Sequence, residues 1–270
     1  MNHTWVEGSI LARGATATVY RGAPGQVIKK LNPGVPAVLI EWEAAAASAA
    51  HEAGVPTPAL IDHDAASLTF EWVPGVWLED AIGEAPGDPA QWVGSVLAEA
   101  HMHIREAVAP TSLKEVHSLL SILIDHGPLE PEPKARAFAA LAALPRGQQL
   151  CHGDLHPRNI LWNAAAPVVP WRVIDWSDGA RGPAAADIAR TRVLLEGVHF
   201  YVAPERREDD RAFFDSVTEA YLAATHAHAP TALAESDSWL GVVRAARLTD
   251  SPPEGEERAL RARLSEIGWM

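Results

Sequence analysis

The stretch Leu150-Cys151-His152-Gly153-Asp154-Leu155-His156-Pro157-Arg158-Asn159-Ile160-Leu161 decides how this chain folds. Its ends are apolar and read as short strands. Its middle is a polar loop bearing two histidines, a carboxylate and an amide. Asp154 and Asn159 stand five residues apart on that loop. Asp175 follows 21 residues after Asp154, at the end of the next apolar run, 171–174. Strand ends are places where a rigid scaffold holds side chains in fixed positions. Carboxylate and amide oxygens are the ligands a hard divalent cation takes. A second carboxylate beside a hydroxyl can orient it or accept its proton.

The run His152-Gly153-Asp154-Leu155-His156-Pro157-Arg158-Asn159 matches, almost residue for residue, a catalytic loop. It is that of the aminoglycoside phosphotransferase and choline kinase-like family, relatives of the protein kinases, which this chain resembles. The corresponding protein-kinase loop reads His-Arg-Asp, with an Asn five residues after the Asp. Ile174-Asp175-Trp176 stands where protein kinases have Asp-Phe-Gly, and Gly182-Pro183 with Asp187-Ile188-Ala189-Arg190 continues the family pattern. The resemblance implies transfer of the γ-phosphoryl group of Mg²⁺-bound ATP or GTP to a hydroxyl of a small molecule. It implies Asp154 as catalytic base or acceptor-orienting group, with Asn159 and Asp175 as Mg²⁺ ligands. Asp187 is expected to be structural, as a helix cap or ion-pair partner. His156 is expected to shape the loop or touch substrate.

The same resemblance demands a phosphate-covering loop, a lysine and an acidic partner in the first third. Arg13-Gly14-Ala15-Thr16-Ala17-Thr18-Val19-Tyr20 looks like the loop, with small residues that let backbone N–H groups approach phosphates. One glycine of the protein-kinase Gly-x-Gly-x-x-Gly remains, Ala12 and Ala17 taking the other places, and Thr16 offers a hydroxyl instead. Val27-Ile28-Lys29 resembles the Val-Ala-Ile-Lys strand, which makes Lys29 the phosphate contact. Lys30 is the rival, but strand alternation puts Lys29 on the face of Val27. Glu43 is the expected partner of Lys29. Glu41, two residues away and so on another helical face, is the alternative. Leu68 to Gly75 looks like the connection between lobes, where main-chain groups of Glu71, Trp72 and Val73 read the nucleobase.

Outward from these motifs, residues 11–20 and 26–31 read as strands around a Gly22/Pro24/Gly25 turn. Residues 36–53 read as a helix ended by Gly54, and 59–61 and 67–73 as two further strands. Pro74-Gly75 marks the lobe boundary. Beyond it, residues 90–105 and 131–144 carry helical periodicity. Helices resume from Ala184, broken near Pro204, Pro230 and Pro252-Pro253, and residues 251–257 read as the most mobile loop. The expected fold is α+β and bilobal, protein-kinase-like. Residues 1–73 form a β-rich lobe and 74–270 a larger, mainly helical one, with the nucleotide in the cleft between them.

A formal net charge of −13 argues against nucleic acid as partner and suits a cationic small molecule. The single cysteine, Cys151, forms no intramolecular disulfide. Met1 to Leu11 reads as neither a basic leader nor an apolar signal core, and no apolar run is long enough for a membrane span. Cytoplasmic location is therefore the expectation, and the oligomeric state is open. No P-loop sequence is present. His101 and His103, two apart on a helix, diverge, so His101 is expected to be a packing residue rather than a zinc ligand. His226 and His228 are expected on an exposed late helix, and Trp239 and Trp269 are candidates for stacking on a ring-bearing acceptor. Three rivals stay open: a sugar or amino-alcohol kinase of metabolism, a kinase acting on protein, and a non-catalytic nucleotide-binding regulator. No activation segment between Asp175 and Pro183 favours the protein kinase.

Overall fold

The computed structural model describes residues 7–201 and 206–270; the break expected near Pro204 lies outside them. An antiparallel five-stranded sheet comes first, built from β1 (Ile10–Arg13), β2 (Ala17–Arg21), β3 (Gln26–Leu31), β4 (Leu60–His63) and β5 (Ser67–Glu71), in the order β1-β2-β3-β5-β4. The run expected as one strand over 11–20 is thus a hairpin, turned over Gly14 to Thr16. In the central strand β3, Lys29 lies opposite Val19 on one side and Leu68 on the other. Helix α1 (Val38–Glu52) packs Ile40 and Ala44 against Leu68 of this sheet. Its Ala-rich sequence has high helix propensity and lets the helix lie close.

The chain then changes character. β6 (Val76–Trp77), a strand too short to show an alternating pattern, pairs with β8 (Ile160–Trp162), which pairs with β9 (Trp171–Val173). β7 (Gln149–Cys151) pairs with β10 (Ala180–Gly182). These two small sheets set the polar loop and the Asp175 segment side by side. A backbone hydrogen bond of 2.9 Å from Ile174 N–H to Asn159 C=O joins them.

The remainder is helical: α2 (Pro89–Glu106), α3 (Val116–His126), α4 (Pro131–Ala143), α5 (Ala184–Gly197), α6 (Arg207–His228), α7 (Pro230–Ser236), α8 (Leu240–Arg247) and α9 (Glu254–Glu266). Asp88 caps α2 by accepting from Gln91 N–H, and Pro89 fits the first helical position. One core joins α2 and α6 to the small sheets; a second joins α3, α4, α5, α8 and α9. Trp239 is buried in the second, edge-on to His117, so it is a core residue and offers no stacking face to an acceptor. Trp269 packs on Gly241. His226 and His228 are exposed in the last turn of α6, as expected.

The segment 251–257 departs from expectation. Only Ser251 to Pro253 link two helices. Glu254 begins α9, and Glu256 is buried, bonded to Arg247 at 2.9 Å. Three glutamates in the first turn complement the helix dipole, which outweighs the loop-like Pro and Gly composition.

Helices α2 and α6 approach closely at Gly94. A Cβ there would lie 2.6 Å from Ala220 Cβ and 2.7 Å from both Tyr221 N and Val217 O. Helix propensity alone would reward Gly94→Ala by about 1 kcal/mol. Two of the obstacles are backbone, so overpacking dominates. A net loss of roughly 1–3 kcal/mol is expected, read as a lower urea midpoint with unchanged slope.

Candidate active site

A cavity of about 390 Å³ opens beneath the five-stranded sheet. Leu11, Val19 and Val27 line it from the strands above, Leu161 comes from β8, Ile174 follows β9, and Phe70, Trp72 and Trp77 flank it. The lining is mostly apolar, with the charged groups Lys29, Glu43, Glu71, Asp80 and Asp175 among it. An apolar cleft with a few convergent polar groups is the usual form of a small-molecule site.

Lys29 Nζ donates to Glu43 Oε1 and to Asp175 Oδ1, both at 2.7 Å. Glu43 is 4% exposed, whereas the side chain of Glu41 is 68% exposed and faces His63. The one-turn geometry of α1 thus brings Glu43 alone to Lys29. Burial acts against the Lys29 charge, but Glu43 and Asp175 outweigh it and hold the ammonium above its ordinary value. Burial pushes Glu43 up against the pull of Lys29. For Asp175, burial is overcome by the Lys29 charge and by hydrogen bonds from Lys29 and Ser177, which draw it down to about 2. Asp175 sits at φ 65°, an uncommon conformation for a residue with a side chain, of the kind that collects at functional sites.

On the polar loop Asn159 Nδ2 donates to Asp154 O at 2.8 Å and to Asp154 Oδ2 at 3.1 Å. Its amide nitrogen is therefore turned toward Asp154, leaving its oxygen for another partner. His156 caps the 157–159 turn by accepting from Arg158 N–H through Nδ1, and its Nε2 lies 3.5 Å from Asp154 Oδ2. Burial raises Asp154, but the His156 hydrogen bond and the charges of His156, Arg190 and His152 prevail and hold it below its ordinary value. His152 is fully buried, and burial holds its imidazole below its ordinary value. Its Nε2 meets Ile174 O at 3.1 Å, while Nδ1 accepts from Asp154 N–H at 3.2 Å.

Asp187, in the first turn of α5, accepts from His152 N–H and Gly153 N–H, both at 2.8 Å. His101 Nε2 lies 3.1 Å from the same carboxylate, and His101 Nδ1 meets Tyr221 OH at 2.8 Å. Both residues are thus engaged with other protein groups, Asp187 with the loop backbone and His101, and His101 with Asp187 and Tyr221.

The other expected contacts are placed less simply. Gly14 and Thr16 are exposed and do not line the cavity; the hairpin reaches it through Leu11, Ala12 and Val19. Asn32 fixes the turn, donating to Gly14 O and Ala15 O at 3.0 Å each. Glu71, Trp72 and Val73 do line the cavity, but the N–H groups of Glu71 and Trp72 are bonded to Ala59 O at 2.9 Å and Gly25 O at 2.8 Å, so neither N–H also serves a nucleobase. Sequence reasoning missed Asn32, Ser177 and Asp178. Asp178 is pushed up to about 6, first by burial and then by the Asp154 charge.

The sequence model of the phosphotransferase enzyme family, APH, matches residues 7–235. No curated protein matches the sequence. Among solved structures, an aminoglycoside-3'-phosphotransferase of type VIII superposes with a TM-score of 0.61 at 21% identity, covering 91% of this chain and 93% of the other. Aminoglycoside phosphotransferase APH(3'')-Id from Streptomyces rimosus, solved with ADP and streptomycin, gives 0.57 at 17% identity over 89% and 93%. Plasmodium vivax ethanolamine kinase gives 0.58 at 12% over 96% and 81%. These likenesses establish a fold shared with protein-kinase-like phosphotransferases. Among the described residues no helix is long and apolar enough to cross a membrane. With its family model spanning most of its length, the chain belongs to the phosphotransferase enzyme family.

Proposed function

We propose that this chain transfers the γ-phosphoryl group of Mg·ATP or Mg·GTP to a hydroxyl of a small, cationic molecule. The observation that carries this reading is the convergence, in the lining of a mostly apolar cavity, of Lys29 bonded to Glu43 and Asp175. The lobe division falls at 73/74, with the nucleotide in the cleft.

Lys29, steadied by Glu43, holds the α- and β-phosphates. Gly14 and Thr16 cover the phosphates, and main-chain groups of Glu71, Trp72 and Val73 read the base. The Asn159 oxygen and Asp175 Oδ2 make no hydrogen bond among the described residues, and such oxygen donors fit Mg²⁺. When bound, the ion neutralises charge on the transferring phosphoryl group. Asp154 accepts a hydrogen bond from the acceptor hydroxyl and takes its proton. The acceptor oxygen then bonds to the γ-phosphorus as the bond to the bridging oxygen breaks. A carboxylate held below its ordinary value is ionised at neutral pH and able to accept.

The net charge of −13 favours a cationic acceptor. Aminoglycosides and amino alcohols are therefore the first classes to try, followed by sugars and other hydroxylated antibiotics. The deciding assay measures Mg²⁺-dependent consumption of ATP and GTP across that panel, with mass spectrometry of the product. Acceptor-dependent formation of a phosphate monoester is expected. Tight Mg·nucleotide binding with no turnover on any acceptor would instead identify a nucleotide-binding regulator.

A further inference from the structure

Helix α5 grips the polar loop with two side chains one turn apart. Asp187 takes the N–H groups of His152 and Gly153, and Arg190 Nε donates to Gly153 O at 2.9 Å. Residues three apart share a helix face, so both reach the same strip of backbone. Between them Gly153 adopts φ +79°, where a Cβ would lie 2.6 Å from Asp178 O. The residue after this clamped turn is Asp154.

The Arg190 guanidinium also organises charge. Its Nη2 is bonded to Asp250 Oδ2 at 3.0 Å and lies 3.9 Å from both Asp154 Oδ1 and Asp178 Oδ2. Asp250 is itself held by Arg247 at 2.9 Å, and Arg247 by Glu256 at 2.9 Å. A chain of contacts thus runs from the α8–α9 junction to the polar loop. The Arg190 side chain is 9% exposed, and its Nη1 is buried with no hydrogen-bond partner among the described residues. Burying a cation with an unsatisfied donor is a poor way to gain stability, since well-packed apolar residues often do as well or better.

We propose that Arg190 is a positioning residue: it fixes Asp154 through the Gly153 carbonyl and balances the three carboxylates gathered around it. This rests on the acceptor-side role given to Asp154 above. It assigns Arg190 no contact with the reacting atoms.

The test uses the full chain with MgATP, water serving as acceptor, and ADP for binding. Displacing a reacting group by about 1 Å costs on the order of 100-fold in rate, and a loss of that size in kcat is expected for Arg190→Ala. ADP affinity should be unchanged, because Lys29, Glu43 and Asp175 make none of these contacts. Millimolar guanidinium ion should restore turnover to Arg190→Ala and leave Asp154→Ala inactive. A purely structural role would give neither the unchanged ADP affinity nor the selective rescue. Arg190→Lys keeps the cation without the fork that reaches Gly153, so it should fold and still lose kcat with little change in nucleotide KM. A crystal structure of either variant with ADP should show Asp154 displaced while the Lys29–Glu43 pair stays in place. Wild-type turnover in both variants, or an undisplaced Asp154, overturns the proposal. Absence of wild-type turnover with water and with every acceptor of the panel above, with Asp154 displaced in the variants, would instead sink the phosphotransfer reading and leave the clamp standing.

Discussion

Asp154→Ala is expected to lower turnover by roughly 10²–10⁴-fold, the range a positioned general base contributes, while nucleotide binding survives. The two effects separate because the groups proposed to hold nucleotide are held by other contacts. Lys29 is bonded to Glu43 and Asp175 and makes no described bond to Asp154. Asp154 is held instead by Asn159, with His156 and Arg190 nearby. Asp154→Asn keeps the shape but places an amide N–H₂ or a weaker acceptor beside the Asn159 donor, so it should fall almost as far. Because Asp154 is held below its ordinary value, its protonation should extinguish kcat/KM only as pH falls below the usual carboxylate range. Activity is therefore kept above that limb and lost as pH falls through it. Steady-state rates across pH, with calorimetric titration of ADP into each variant, measure both effects. Unchanged turnover in Asp154→Ala would defeat the assignment.

What was legible in the sequence is what depends on side-chain identity at short range. The loop from His152 to Asn159 announces its chemistry because five-residue spacing and residue type survive in one dimension. Lys29 was separable from Lys30 because strand alternation has a period of two, and Glu43 from Glu41 because residues two apart on a helix diverge. Asn32, Asp178 and the clamp formed by Asp187 and Arg190 were not legible in that way. Arg190 meets Gly153 across 37 residues and Asn32 meets Gly14 across 18, separations set by tertiary packing alone. β6 and β10 are two and three residues long, too short for any periodic signal. Tryptophan content likewise could not say that Trp239 is core while Trp72 and Trp77 face the cavity. The small residues around Gly14 signal permission for close approach, which is weaker than a contact.

The second large effect concerns folding. Asp187→Ala is expected to destabilise the chain by roughly 3–5 kcal/mol, as removal of one partner from a buried charged network does. A buried backbone donor on His152 and a half-buried one on Gly153 would lose their acceptor at 2.8 Å, and His101 would lose the carboxylate beside it. Each unsatisfied donor alone costs about 1–3 kcal/mol. A domain of this kind is stable by only about 5–15 kcal/mol, so this is a large share of the whole. The pH dependence has a definite sign. Burial acts to raise Asp187, but His101, His152 and the Gly153 N–H outweigh it and hold the carboxylate below its ordinary value. A depressed carboxylate contributes stability that is fully present above the unfolded value, about 3.9, and is lost as pH falls through the folded one. Urea unfolding of the wild type should therefore weaken in acid by this contribution, and the variant should lack it. The gap between the two should be widest near neutrality and close as acid protonates Asp187. Equal midpoints at neutral pH would show that the loop does not depend on Asp187 for its hold on α5.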